Sequence, residues 1–166
     1  MIRPAEPADA AGIRALHQAA FPTAAEADLV EALVCEGDAV ISLVDARQGE
    51  IVGHVLLSRM TVTGDGQALR GLGLAPVGVR PGFQGGGIGR ALIEAALAVA
   101  RATGEALVFV LGEPDYYGRF GFSAATAAPF ASPYSGPWFM ALALRPDFTR
   151  SAAGTAAYAR AFSDLA

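Results

Sequence analysis

The chain has 166 residues, 53% of them hydrophobic and 17% charged, with a formal net charge of −4 and an isoelectric point near 5.1. That length and apolar share suit one folded domain and exclude a disordered chain, and the acidic balance argues against a general nucleic-acid or anionic-membrane surface. A single cysteine, Cys35, excludes an internal disulfide and a multi-cysteine metal site, so no metal is expected.

The first ten residues, MIRPAEPADA, carry charge where a signal peptide would carry an apolar core, and no apolar run approaches a membrane span. A cytoplasmic protein is the expectation. Residues 2–4 read as a short strand, after which Asp9 caps a helix to about residue 20, with Ile13, Leu16, His17 and Ala20 at helical spacing. A second helix, about 24–36, sets Ala27, Leu29, Val30, Leu33 and Val34 on a broad apolar face that also buries Cys35, and Gly37 stops it. Strands at 39–44 and 51–63 flank a turn at 45–50, and a third, 68–79, follows Gly64-Asp65-Gly66, which makes an antiparallel meander.

The meander delivers the chain into residues 74–92, LAPVGVRPGFQGGGIGRAL. Gly85, Gly86, Gly87 and Gly89 crowd the place where a helix to about residue 103 begins, although each glycine costs on the order of 1 kcal/mol relative to alanine inside a helix. Without Cβ atoms the unpaired N–H groups of a first helical turn can touch a bulky anion, which the helix dipole favours; Arg80 and Arg90 flank the turn. The alternative is a tight strand-to-helix connection with no ligand. Residues 107–111, LVFVL, read as a strand buried on both faces and parallel to 74–79, completing a βαβ unit. A short helix at 115–120, an extended segment from Gly121, a loop at 132–137 and a last strand at 138–144 follow. The tail at 146–166 is docked by Tyr158 and Phe162.

Gln84-Gly85-Gly86-Gly87-Ile88-Gly89 fits the Q/R-x-x-G-x-G/A motif of the GNAT superfamily of acyl-CoA-dependent N-acetyltransferases, and the order of elements over residues 2–145 is similar to the fold of that family. FVLGEPDYYGRFGF, residues 109–122, resembles a branch of N-acetyltransferases containing F-V-L-G-x-P-x-Y-Y-x-R-F-G-F. The resemblance implies an α/β (α+β) fold: a mixed central sheet with an antiparallel N-terminal meander and a splayed parallel strand pair around the loop that holds acetyl-CoA, in a single domain over 1–166.

It further implies that Val77, Gly78 and Val79 run along the acyl-pantetheine arm and that Gln84, Gly85, Gly86, Gly87, Ile88, Gly89 and Arg90 wrap the pyrophosphate. Tyr117, four residues before Gly121, falls near the sulfur as proton donor to the departing thiolate; from the residues alone, Tyr116 and Tyr117 are not distinguished. The strand 74–79 holds no carboxylate, so the base that receives the acceptor's proton is open among Glu26, His54, Glu113 and water, each with a plain structural role as its alternative. Phe130, Tyr134 and Trp138 line either an acceptor pocket or the edge of the core. The acceptor is an amine of a small molecule or peptide, and a homodimer is common among such proteins.

Three other functions compete. A Rossmann-like dinucleotide site is opposed by Leu92, which stands where the third glycine of G-x-G-x-x-G belongs, and by the short chain that follows. Cysteine catalysis is opposed by the position of Cys35 at a helix C-terminus. A non-catalytic acyl-CoA-binding module shares every motif named above.

Overall fold

The structure, a computed structural model, describes residues 1–145 and 153–164. The strands are β1 (Ile2–Pro4), β2 (Ala39–Arg47), β3 (Glu50–Gly64), β4 (Gln67–Val79), β5 (Leu107–Leu111), β6 (Phe130–Ala131), β7 (Phe139–Ala143) and β8 (Gly154–Ala157); helices α1 (Ala10–Ala20) and α2 (Ala25–Cys35) follow β1, α3 (Ile88–Ala102) follows β4, and α4 (Pro114–Tyr117) and α5 (Ala124–Ala127) follow β5. Hydrogen bonding orders the strands β1-β2-β3-β4-β5-β7, with β8 pairing β3 and β6. The chain groups into two compact units, one of Met1–Ser58, Ala75–Val99 and Arg160–Ala166, the other of Arg59–Leu74 and Ala100–Ala159.

In the first unit β1 runs antiparallel to β2 and β2 antiparallel to β3. The β2–β3 hairpin closes on Gln48-Gly49, both at positive φ (51° and 79°), a type I′ signature that ends the strands later than the six-residue turn expected from composition. Residues 51–58 of β3 are all buried, so both faces of that segment are covered. Helix α1 turns Ile13, Leu16 and His17 inward, and α2 turns Ala27, Leu29, Val30 and Leu33 inward. Leu16 and Leu33 are fully buried, each worth roughly 1.5–3 kcal/mol. Arg14 joins the two helices by bonds of 3.0 Å to Asp28 and 2.8 Å to Glu31.

Two expectations for these helices are corrected. Val34 is 58% exposed and Cys35 is exposed, because the buried stripe of α2 ends at Leu33. Asp9 makes no side-chain cap on α1; it accepts the Glu6 N–H at 2.7 Å and two bonds from Arg3, which shapes the 3-10 turn Pro7–Asp9 ahead of the helix.

In the second unit β4 pairs in parallel with β5, in register at Gly71–Leu107, Leu72–Val108 and Gly73–Phe109, and β7 pairs antiparallel along all five residues of β5. Phe109, Phe130, Phe139 and Met60 centre its core, with Phe109 stacked on Phe139 at 5.4 Å and edge-on to Phe130 at 5.4 Å. The extended segment expected after Gly121 is replaced by a single bridge, Ser123 to Ala141, and by α5, which Ser123 caps by accepting the Thr126 N–H. Of the tail, residues 146–152, 165 and 166 lie outside the described residues. The rest holds β8, paired to β3 from Thr61 to Gly64, and a buried Phe162.

Candidate active site

The turn from β4 into α3 has the form its glycines require. Gly82, Gly85 and Gly87 have φ of +94°, +82° and +87°, which side chains rarely adopt. Gly86 needs no such φ, and a Cβ there would meet nothing closer than the Phe83 carbonyl at 3.7 Å. Packing therefore does not demand glycine at 86; the space is left open on an exposed turn. The helical ladder begins with the Ala91 N–H donating to the Gly87 carbonyl at 3.0 Å, so the amides before it lie outside the ladder, as an anion site at a helix N-terminus needs.

The side chains around this turn have partners on the protein. Gln84 Nε2 donates to the Val79 carbonyl at 2.9 Å, tying the loop back to the last residue of β4. Arg80 reaches the Ile51 carbonyl at 3.3 Å and Glu50 at 3.4 Å, and Arg90 pairs with Glu94 at 2.8 Å. Both arginines that flank the turn thus have carboxylate partners on the protein.

On β4, Val77 and Val79 are half-buried and Gly78 is buried. Gly78 lies under His17: a Cβ at 78 would stand 2.8 Å from His17 Nδ1 and 3.4 Å from the Phe21 ring, which stacks on His17 at 5.8 Å. His17 Nε2 is 2.8 Å from His54 Nδ1, and His54 Nε2 is 2.9 Å from Ser42 Oγ. Both rings are fully buried, and His17 Nδ1 has no hydrogen-bond partner. Burial holds His17 down to about 4; burial and then the neighbouring His17 hold His54 down to about 3, so both are neutral near pH 7.

Tyr117 is half-buried with its ring on Gly112, whose Cβ position would be 2.6 Å from Cε2. Tyr116 and Phe122 meet the ring edge-on at 5.0 and 5.9 Å. Burial, then the Tyr116 hydroxyl, push the Tyr117 phenol up to about 12, so it stays protonated. Tyr116 takes the guanidinium of Arg119 over its face at 5.6 Å, which distinguishes the two tyrosines.

The three base candidates differ in access. His54 is enclosed, and both of its ring nitrogens are taken, by His17 and by Ser42. Glu26, in the first turn of α2, keeps a buried Oε1 with no hydrogen-bond partner. Glu113 is exposed and its side chain makes no cap bond to α4. Phe130 belongs to the core, whereas Tyr134 (39% exposed) and Trp138 (49% exposed) line a shallow groove of about 430 Å³ with Leu111 and Gly112. Among the described residues no cluster of His, Cys, Asp and Glu could hold a metal ion, and no helix is long and apolar enough to cross a membrane.

Residues 1–125 match the family model described as an acetyltransferase (GNAT) domain. The chain is 38% identical over 132 residues to the uncharacterized N-acetyltransferase YjhQ of Escherichia coli, a match covering 78% of this chain and 73% of that one. Among solved structures it is similar to the GNAT family N-acetyltransferase YhbS of E. coli in complex with CoA, with a TM-score of 0.90, 32% identity and coverage of 100% and 93%. It is likewise similar to a GNAT family acetyltransferase of Brucella melitensis in complex with acetyl-CoA, with a TM-score of 0.80, 34% identity and coverage of 98% and 97%. With the glycine turn opening α3 and the parallel β4–β5 pair flanking it in sequence, this chain belongs to the GNAT acetyltransferase family.

Proposed function

We propose that this GNAT-family acetyltransferase moves the acetyl group of acetyl-CoA to a primary amine of a small molecule or peptide by direct attack, as a single cytoplasmic domain over residues 1–166. The observation that carries the reading is the exposed turn at Gly85, Gly86 and Gly87, with ladder-free amides and open space above it at the start of α3. Complexes of the two relatives with CoA and acetyl-CoA support the cosubstrate.

In this reading the main-chain N–H groups from Gln84 through Arg90 hold the pyrophosphate, and Gln84 fixes the turn through its bond to Val79. Val77, Gly78 and Val79 pair with the pantetheine arm, and the Val79 N–H donates to the carbonyl oxygen as negative charge builds there. Tyr117 donates to the departing sulfur. Handing its proton fully from about 12 to a thiolate of pKa ~8.5 is uphill by about 5 kcal/mol, so hydrogen bonding to the sulfur is the larger part of its role. The groove of Leu111, Tyr134 and Trp138 beside Gly112 suits an acceptor with an apolar or aromatic body.

The second reading, an acyl-CoA-binding module without turnover, shares the loop and leaves Tyr117 as an aromatic packed on Gly112. Incubation with acetyl-CoA and a panel of primary amines, followed by thiol release and product mass, separates the two. Acetylated amine with stoichiometric free CoA is expected. Binding of acetyl-CoA with no thiol release from any amine would favour the module.

A further inference from the structure

The buried line His17, His54, Ser42 is larger than core packing requires. Two imidazoles and a hydroxyl are joined by bonds of 2.8 and 2.9 Å, and the inner end, His17 Nδ1, is left without a partner against Gly78. An unmet buried ring nitrogen costs stability, so its presence calls for an explanation. The outer end, Ser42 Oγ, lies on β2 at a half-buried position. The line therefore runs from the strand that carries the proposed pantetheine contact to a half-buried serine on β2.

We propose that His17, His54 and Ser42 form a proton relay that accepts the proton of the acceptor's ammonium group at His17 Nδ1 and releases a proton at Ser42. With His17 Nε2–H donating to His54 Nδ1, and His54 Nε2–H donating to Ser42 Oγ, the free lone pair sits on His17 Nδ1. An ammonium N–H breaks as His17 Nδ1 takes its proton. The His17 Nε2 proton then passes to His54 Nδ1, the His54 Nε2 proton passes to Ser42 Oγ, and the serine's own proton leaves to water. One proton enters, one leaves, no electrons change hands, and both rings are neutral before and after. Once product has gone, the Nδ1 proton leaves to water that enters the emptied site while one proton returns through Ser42 and His54, which resets both tautomers.

A low basicity suits this role, because a ring that held the proton would stop the relay. The groups that act on the pair are few. From α1 there is His17 itself, from β2 the Ser42 hydroxyl, from the 3-10 turn Asp9, already paired with Arg3, and from β4 a glycine with no side chain. Phe21, half-buried against Gly78 and His17, is the side chain that must give way for the amine to reach Nδ1. The relay also accounts for a base on a chain whose β4 has no carboxylate.

The proposal rests on the acetyl-transfer reading, and its test separates the two. Phenethylamine arrives as an ammonium ion at pH 7, whereas O-benzylhydroxylamine has the same skeleton and arrives neutral. Ser42→Ala and His54→Asn, the latter keeping a polar partner for His17, are compared with the wild-type protein on both. The expected result is a loss in kcat/KM of about tenfold or more for phenethylamine at pH 7 that shrinks as pH rises toward the amine's own pKa. O-Benzylhydroxylamine should be unaffected at every pH and acetyl-CoA affinity unchanged. Equal slowing of both amines, or no slowing in His54→Asn, would overturn the relay in favour of a structural pair. A wild-type protein that acetylates no amine would remove the transferase reading and the relay with it.

Discussion

Gly78 and His17 approach each other more closely than a side chain at residue 78 would allow: a Cβ there would stand 2.8 Å from Nδ1 of a ring whose other nitrogen is held by His54. The ring cannot retreat without breaking that bond. Gly78→Ala should destabilise the protein by about 1–3 kcal/mol and lower Tm by roughly 3–10 °C. In a His17→Ala background the same substitution should cost almost nothing, and calorimetry of the four proteins measures the coupling.

Tyr117 is set apart from Tyr116 by its seat on Gly112, whereas Tyr116 takes the Arg119 guanidinium over its face. Tyr117→Phe should lower kcat by on the order of 10- to 100-fold while leaving the Kd for acetyl-CoA within a factor of two, since a donor to the departing sulfur acts after binding. Tyr116→Phe should leave kcat near the wild-type value. Steady-state kinetics of the two variants makes the comparison, and equal effects would remove the assignment.

The two buried histidines make stability depend on pH above the carboxylate range. Their folded pKa values, about 4 for His17 and about 3 for His54, lie below the ordinary 6.5, so the unfolded chain binds more protons as pH falls. The contribution is intact above pH 6.5 and is lost as pH falls from there through the folded values, at up to about 1.4 kcal/mol per pH unit for each ring. Tm should decline from near pH 6.5 downward, and a His17→Gln, His54→Gln double variant should start lower with a flatter profile over pH 6.5–4.

Glu105, 1% exposed, accepts from Arg59 at 2.7 and 2.9 Å and from Arg70 at 2.7 Å. Burial opposes its charge, but the bonds from the two arginines outweigh burial and hold the carboxyl below its ordinary value. Both arginines are partly in water, so Glu105→Gln should cost about 1–3 kcal/mol, less than a fully buried pair. Urea unfolding should show a lower midpoint with an unchanged m value. Because the folded carboxyl is the stronger acid, the wild-type advantage should be present above the unfolded value and vanish as pH falls through the folded one.

The βαβ unit and its glycine turn were legible in the sequence because their signals are local: LVFVL is a continuous apolar run, and four glycines interrupt a helix start. The relay was not, since His17 and His54 lie 37 residues apart and a histidine on an apolar helix face reads as core. Gln84 fitted its motif, but its bond to Val79 depends on how the loop folds back. Cys35 and Val34 are exposed because the buried stripe of α2 ends at Leu33, two residues before the helix does, which an apolar face read from spacing alone does not reveal. The strand β8, made of Gly154, Thr155, Ala156 and Ala157, has little strand propensity and exists through its pairing with β3. The short α5 was missed for a similar reason, although Ser123 ahead of Thr126 carries the cap that marks it.

The central claim is that the turn opening α3 binds acetyl-CoA through its main chain. Isothermal titration of the wild-type protein and of Gly86→Val with acetyl-CoA tests it most directly, because residue 86 has an ordinary φ and open space around it, so the variant should keep the wild-type Tm. The account predicts micromolar binding by the wild-type protein and a Kd raised at least about tenfold, or about 1.4 kcal/mol, in the variant. Equal affinity in two folded proteins, or no binding by the wild-type, would contradict it.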